Sequence, residues 1–217
     1  TVSLNEVYLI DKDGYVARTK AAIFGNDDED YARNLMELLI IDGKYESKIP
    51  NGFRTVIPSD TKINEVKLDN DSITVDLSND LLELKNDTLK KAISLITYNL
   101  TTIDNVKYVY LKIDGDLLST YPNSNMMISQ PLTKEDGVNT YYDAFNYKNV
   151  SKTTMYYVNK NNNDYYYVPV TKISNDNRDK IKIIIDELTS SHIYETNLMS
   201  FLNYNTKLIS YDLKDDV

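Results

Sequence analysis

Cysteine and tryptophan are absent from the 217 residues, and histidine occurs once. Without cysteine there are no disulfides, no thiolate metal sites and no cysteine nucleophile. The lone His192 stands in Ser190-Ser191-His192-Ile193 after a helix-like run, so no histidine cluster or histidine-dependent triad can be built. A base or ligand needs partners, and an exposed or capping role is expected instead. The six glycines form no phosphate-cradling loop. No run approaches the ~20 apolar residues of a membrane-spanning helix, and no signal peptide is visible. The chain opens on polar Thr1-Val2-Ser3-Leu4-Asn5-Glu6 with no initiator methionine, which reads as trimming of an N-terminal export or anchor segment.

A basic surplus is missing as well. Thirty-three acidic residues oppose 24 lysines and arginines, for a net charge of −9. Nucleic-acid surfaces need clustered lysine and arginine, and here the lysines are scattered among acids, so no nucleic-acid partner is expected.

What is present is a pattern that occurs twice. The run from Val7, VYLIDKDGYVARTKAAIFGNDDEDYARNLMELL, is echoed from Met155 by MYYVNKNNNDYYYVPVTKISNDNRDKIKIIIDEL. The offset is about 148 residues. Tyr8 answers to Tyr156, Lys12 to Lys160 and Leu39 to Leu188. Hydrophobic residues at 41% suffice for packed cores, and the length allows two small domains.

In the first copy, Val7–Ile10 and Tyr15–Ala21 flank Asp11-Lys12-Asp13-Gly14, which predicts a hairpin. Tyr31, Leu35, Leu38 and Leu39 then fall on one helical face behind Asp27, Asp28 and Asp30, and this helix is expected to end near Asp42-Gly43. Thr61–Leu68 and Ser72–Leu77 predict a second hairpin about Asp69-Asn70-Asp71. Leu89, Ala92, Ile93, Ile96 and Leu100 mark a second helix, and Val106–Ile113 a closing strand. One sheet with both helices on one face would satisfy these elements. Residues 1–116 are the first module. Residues 117–150 are polar and weakly periodic, too long for an ordinary loop, and read as an inter-domain connection. Met126, Met127, Ile128 and Leu132 suggest that part of it packs down. Residues 151–217 read as a second, partial module, with Ile181, Ile184, Ile185 and Leu188 in phase and Thr206–Leu213 matching the start of the second hairpin.

Four segments of the first copy, in order, carry a family resemblance: Ile57-Pro58-Ser59-Asp60-Thr61, Val75-Asp76-Leu77-Ser78, Thr97-Tyr98-Asn99-Leu100, and Val106 with Val109 before Ile113-Asp114-Gly115. Together they resemble the GerMN domain of sporulation and germination proteins. The resemblance implies an α+β fold of tandem small modules, each a 3–5-stranded sheet with helices on one face. It also implies a non-catalytic scaffold or assembly role outside the cytoplasm, through protein partners or self-association and similar to ring-building folds, with a lipid anchor as the membrane attachment. The chain departs from that pattern in its incomplete second copy, its long connection and its lack of a lipid-bearing cysteine.

Site signals are sparse. Asp27-Asp28-Glu29-Asp30 and Asp11-Lys12-Asp13-Gly14 fail the spacing of a calcium loop and fit helix capping and hairpin geometry, so no metal or cofactor is expected. Asp76 is the best single carboxylate for acid–base work, although a turn-capping role beside Ser78 and Asn79 fits it better. The candidate interaction surface is the tyrosine cluster: Tyr156, Tyr157, Tyr165, Tyr166 and Tyr167, with Tyr141 and Tyr142 just upstream. Strand alternation requires about half of them to face away from a core. An alternative use of the cluster is to bind a cell-wall fragment or small molecule.

Overall fold

The computed structural model describes residues 3–190 and 196–212. Two compact units divide the chain, Thr1–Val138 and Asn139–Val217. The first contains β1 (Asn5–Asp11), β2 (Val16–Ala21), α1 (Asp28–Leu38), β3 (Phe53–Arg54), β4 (Ile63–Asp69), β5 (Ser72–Leu77), α2 (Asn86–Leu100), β6 (Tyr108–Ile113) and β7 (Asp116–Leu117).

Local chemistry sets these boundaries. The buried Asp11 carboxylate accepts from the backbone N–H of Asp13 and of Tyr15, each at 2.9 Å, and so shapes the β1–β2 turn. Asp27 caps α1 by accepting from the Asp30 N–H at 2.8 Å, with acidic residues at the positive end of the helix dipole. Asn70, at φ +54°, turns β4 antiparallel onto β5. β5 pairs in parallel with β6, and α2 makes the crossover that parallel strands require.

The strands of the first unit form two sheets, ordered β2-β1-β3 and β4-β5-β6-β7, where the sequence suggested one. The edge of β1 shows why. At Tyr8 the backbone partner is a side chain of α2: Asn99 accepts from the Tyr8 N–H at 2.9 Å and donates to the Tyr8 carbonyl at 2.8 Å. A carboxamide thus takes the place of a neighbouring strand. Leu35, Leu39, Val75, Ile93, Ile96 and Val109 share one buried cluster, as the helix and strand phases require.

The segment read as a connection divides. Leu118, Ile128, Leu132 and Val138 are buried in the core of the first unit, while Met126 and Met127 stay exposed. Gln130 repeats the device of Asn99 on β6, with its Oε1 accepting from the Leu111 N–H and its amide donating to the carbonyls of Leu111 and Leu118. The polar composition of 117–138 hid this packing, because the segment is fixed by short backbone bridges, Val109 to Leu132 and Thr120 to Met127, together with the Gln130 amide, and not by a strand long enough to show alternation.

The second unit contains β8 (Tyr141–Asp143), β9 (Ser151–Asn161), β10 (Asp164–Ser174) and α3 (Lys180–Thr189). Its sheet order is β8-β10-β9, with β8 parallel and β9 antiparallel to β10. Strand, strand and helix recur in the order of β1, β2 and α1. The phase of α3 differs from the expected one: Ile183 and Glu187 are buried, whereas Ile181, Ile184, Ile185 and Leu188 are only partly covered. Residues 206–212 hold no strand. β4, their expected counterpart, is a strand because β5 lies beside it, and no described residue plays that part here. No described helix is long and apolar enough to cross a membrane.

Candidate functional site

Strand alternation sorts the five tyrosines. Tyr157 and Tyr166 are 6% and 8% exposed, whereas Tyr156, Tyr165 and Tyr167 are 38%, 60% and 43% exposed. The register Tyr156↔Pro169, Val158↔Tyr167 and Lys160↔Tyr165 sets the exposed three on one face of the β9–β10 hairpin. Phe201, 70% exposed, joins them across the sheet. Its ring lies 6.3 Å from that of Tyr165 and 6.4 Å from that of Tyr167, and Tyr156 meets Tyr167 at 6.5 Å. The backbone bridge between Val158 and Met199 holds this segment in place, with N–H···O bonds of 2.8 and 2.7 Å. Phe201 was missed in the sequence because nothing in its local spacing marks it.

Ring orientation decides what this surface suits. The interplanar angles are 85°, 49° and 82°, so Tyr167 meets Tyr156 and Phe201 edge to face, Tyr165 is tilted against Phe201, and the rings present a corrugated apolar patch. A sugar-stacking platform would need a flat, exposed ring face. A protein side chain can instead insert between tilted rings.

The opposite face, which bears the buried tyrosines, also carries a polar network. Both oxygens of the Glu187 carboxylate are engaged: Oε1 accepts from the Lys172 ammonium, and Oε2 from the Tyr141 hydroxyl at 2.8 Å. Lys172 also pairs with Asp143 at 2.8 Å. Burial drives the Tyr141 hydroxyl pKa up, and the Glu187 carboxylate beside it adds to the rise; the same two causes push Tyr157 up to about 12. Desolvation pulls the Lys172 ammonium down, but hydrogen bonds to Asp143 and Glu187 outweigh it and leave the pKa raised. This network ties β8, β10 and α3 together. Its sequence signal was a glutamate four residues after Ile183, in phase with a buried isoleucine.

Other candidates resolve into structural roles. Asp76 accepts from the Gly115 N–H at 3.1 Å, across from β5 to the turn after β6, and Ser78 accepts from the Lys62 N–H at 2.9 Å. His192 lies outside the described residues. A shallow open depression on the first unit, lined by Asn5, Phe24, Asn26, Asp27 and Tyr31 among others, contains none of the candidate tyrosines.

The family model described as "Germane: Sporulation and spore germination" matches residues 6–119. The chain belongs to this GerMN domain family. It is 33% identical over 210 residues to the spore germination protein GerM of Bacillus subtilis (strain 168), covering 95% of this chain and 57% of GerM. The tandem GerMN domains of Bacillus subtilis GerM superpose with a TM-score of 0.85 at 32% identity, over 99% of this chain and 77% of that one. The first GerMN domain of the same protein matches 62% of this chain and 99% of its own length, with a TM-score of 0.56 and 31% identity. The α+β class and the tandem plan read from the repeat agree with these matches.

Proposed function

We propose that the chain is a non-catalytic assembly component of a GerM-like protein, working outside the cytoplasm and docking a protein partner through Tyr156, Tyr165, Tyr167 and Phe201. The interlocked, mutually inclined packing of these exposed rings carries the reading. Exposed tyrosine and phenylalanine give large contact area at low entropic cost, the property that concentrates binding energy in interfaces. The chain spans 57% of the length of GerM, so the partner of the whole protein is part of this proposal. Anchorage by an N-terminal lipid belongs to it as well. The absence of cysteine and the engagement of Asp76 in a turn favour assembly over catalysis.

A photo-crosslinking amino acid placed at Tyr165 in sporulating cells tests this. The expected result is a discrete protein adduct that is absent when the probe sits at the exposed loop residue Tyr147 and is lost when Tyr156 and Tyr167 become alanine. Adducts to glycan alone would favour the wall-fragment alternative. Release of peptidoglycan fragments that stops in a folded Asp76→Ala or His192→Ala variant would replace assembly with enzymatic activity.

A further inference from the structure

Five of the six glycines follow an aspartate or an asparagine: Asp13-Gly14, Asp42-Gly43, Asn51-Gly52, Asp114-Gly115 and Asp136-Gly137. Each pair carries the elements of backbone succinimide chemistry, in which the glycine nitrogen attacks the side-chain carbonyl carbon of the residue before it. Glycine favours this step because no Cβ crowds its nitrogen. What separates the five is whether that nitrogen is already held. An N–H in a hydrogen bond is fixed in direction and must give up its partner before it can attack.

The fold holds four of them. The Gly14 N–H donates to the Asp11 carbonyl at 3.1 Å, that of Gly43 to the Ile40 carbonyl at 3.2 Å, and that of Gly137 to the Lys134 carbonyl at 3.2 Å. The Gly115 N–H donates to the Asp76 carboxylate at 3.1 Å. Gly52 differs. It lies at φ +86° in the turn 50–53, which the Phe53 N–H closes onto the Pro50 carbonyl at 3.1 Å. The closing bond of a β-turn joins its outer residues and leaves the third residue's N–H outside it. Among the described residues the Gly52 N–H makes no hydrogen bond. Asn51 and Gly52 are both exposed, so water reaches the ring that forms. Asn51 also carries the better leaving group, since an asparagine releases ammonia, whereas an aspartate carboxylate must take up a proton before it can release water.

We propose that Asn51 is a site of spontaneous covalent conversion to aspartate and isoaspartate, and that the held N–H groups spare the other four pairs. The deprotonated Gly52 nitrogen bonds to Asn51 Cγ, the Cγ–Nδ2 bond breaks and ammonia leaves. Water then opens the succinimide, giving aspartate by attack at one carbonyl and isoaspartate by attack at the other. Attack is at carbon, so the route does not require the Asn51 side chain to be without a hydrogen bond. Either product adds a carboxylate to a chain of net charge −9. Isoaspartate also adds one carbon to the backbone shortly before β3, a strand joined to β1 through only Ile10↔Arg54 and Asp11↔Phe53. The conversion therefore loosens β3 and leaves the longer β1–β2 pairing in place.

The test incubates the folded 217-residue chain in mildly alkaline buffer. Peptide mass spectrometry reads the gain of about 1 Da at Asn51, and labelling by an isoaspartyl methyltransferase with S-adenosylmethionine reads isoaspartate at every pair. Isoaspartate should accumulate at Asn51 at least about tenfold faster than at any of the four aspartates. Unfolding in guanidinium should speed the four aspartates by about tenfold, the factor that loss of one hydrogen bond allows, and change Asn51 less. Asp76→Ala, with an unaltered melting transition, should speed Asp114 alone. Asn51→Gln should abolish the main signal. The converted form, separated by anion exchange, should show faster amide exchange in β3 than in β2. No mass gain at Asn51 in the folded chain while guanidinium permits it overturns the proposal. Label at Asp114 that neither guanidinium nor Asp76→Ala increases also overturns it, because a held N–H is then not what spares that pair.

Discussion

The two units enclose their sheets with different chemistry. In the first, α2 covers β1 with Tyr98, and a neutral carboxamide, Asn99, closes the strand edge. In the second, the interior of a three-stranded sheet and one helix holds a lysine–glutamate pair. A large apolar core tolerates a single buried amide whose hydrogen bonds are all made. A smaller unit has less apolar area to bury and uses an ion pair to fix β8 and α3 on β10, which is tenable because each Glu187 oxygen has its own donor. Both solutions satisfy every oxygen of the buried amide or carboxylate they use.

Breaking the ion pair should produce the largest effect. Glu187→Ala leaves the Lys172 ammonium buried with Asp143 as its remaining carboxylate among the described residues and should cost about 3–5 kcal/mol. Leu39→Ala, which empties a site in the first core, should cost about 2–5 kcal/mol. Urea melts read by hydrogen exchange in β9–β10 and in β1–β2 separate the two. Replacing both partners together with the hydroxyl that Glu187 accepts, Lys172→Met with Glu187→Leu and Tyr141→Phe, should be neutral or stabilising, since the desolvation cost disappears with the pair and the Tyr141 donor is not left without its acceptor. A cost below about 1 kcal/mol for Glu187→Ala would rank the pair with surface ion pairs and erase the contrast between the units.

Asn99 is the corresponding test in the first unit. Asn99→Leu strands the Tyr8 N–H and carbonyl in a buried setting, at about 1–3 kcal/mol for each group. Asn99→Asp should rescue less than half of this, because a carboxylate can accept from the Tyr8 N–H but cannot donate to its carbonyl. If the leucine variant melts like the parent, the edge of β1 does not depend on the carboxamide.

Alkaline pH should distinguish the units without mutation. The Lys172 pKa is raised in the folded state, so the stability it contributes is complete below the unfolded lysine value and is lost as pH rises through the folded one. Tyr141 and Tyr157 act in the same direction: an unfolded tyrosine ionises near pH 10, whereas Tyr157, at about 12, stays protonated, so unfolding gains from pH 10 upward. The second unit should therefore lose stability above about pH 10 more steeply than the first. Lys172→Met with Glu187→Leu should flatten that dependence, and parallel alkaline titrations of the two units, followed by hydrogen exchange, would contradict this assignment.

Legibility in the sequence followed the range of the interactions. Short-range signals held: the Asp27 cap, the Ser72–Leu77 strand with its alternation, and the α2 stripe Leu89, Ala92, Ile93, Ile96 and Leu100 all stand as read. The α3 phase failed because Ile181, Ile184 and Ile185 outweigh a glutamate on any hydrophobicity count, and only the position of Lys172 in the fold reveals why Glu187 turns inward. That about half of the tyrosines face away from the core was expected from alternation, but which ones do so depends on the side that α3 takes. Phe201 and Gln130 act through contacts set by tertiary structure, which no local spacing encodes.

The smallest expected effect concerns Thr153, opposite Lys172 in the β9–β10 register. Its hydroxyl is buried and has no hydrogen-bond partner among the described residues. The repeat offset matches it to Asn5 in the first unit, whose amide donates to the Ile23 carbonyl at 2.6 Å. The same strand position is thus satisfied in one unit and unsatisfied in the other. Valine keeps the shape of threonine and removes the unpaired hydroxyl, so Thr153→Val should raise the stability of the second unit by about 1 kcal/mol. Asn5→Val, which strands a carbonyl acceptor, should lower that of the first by a similar amount. Opposite signs in paired denaturant titrations would establish that the two positions differ in hydrogen bonding and not in packing, whereas destabilisation by both would mean that the Thr153 hydroxyl has found a partner in solution.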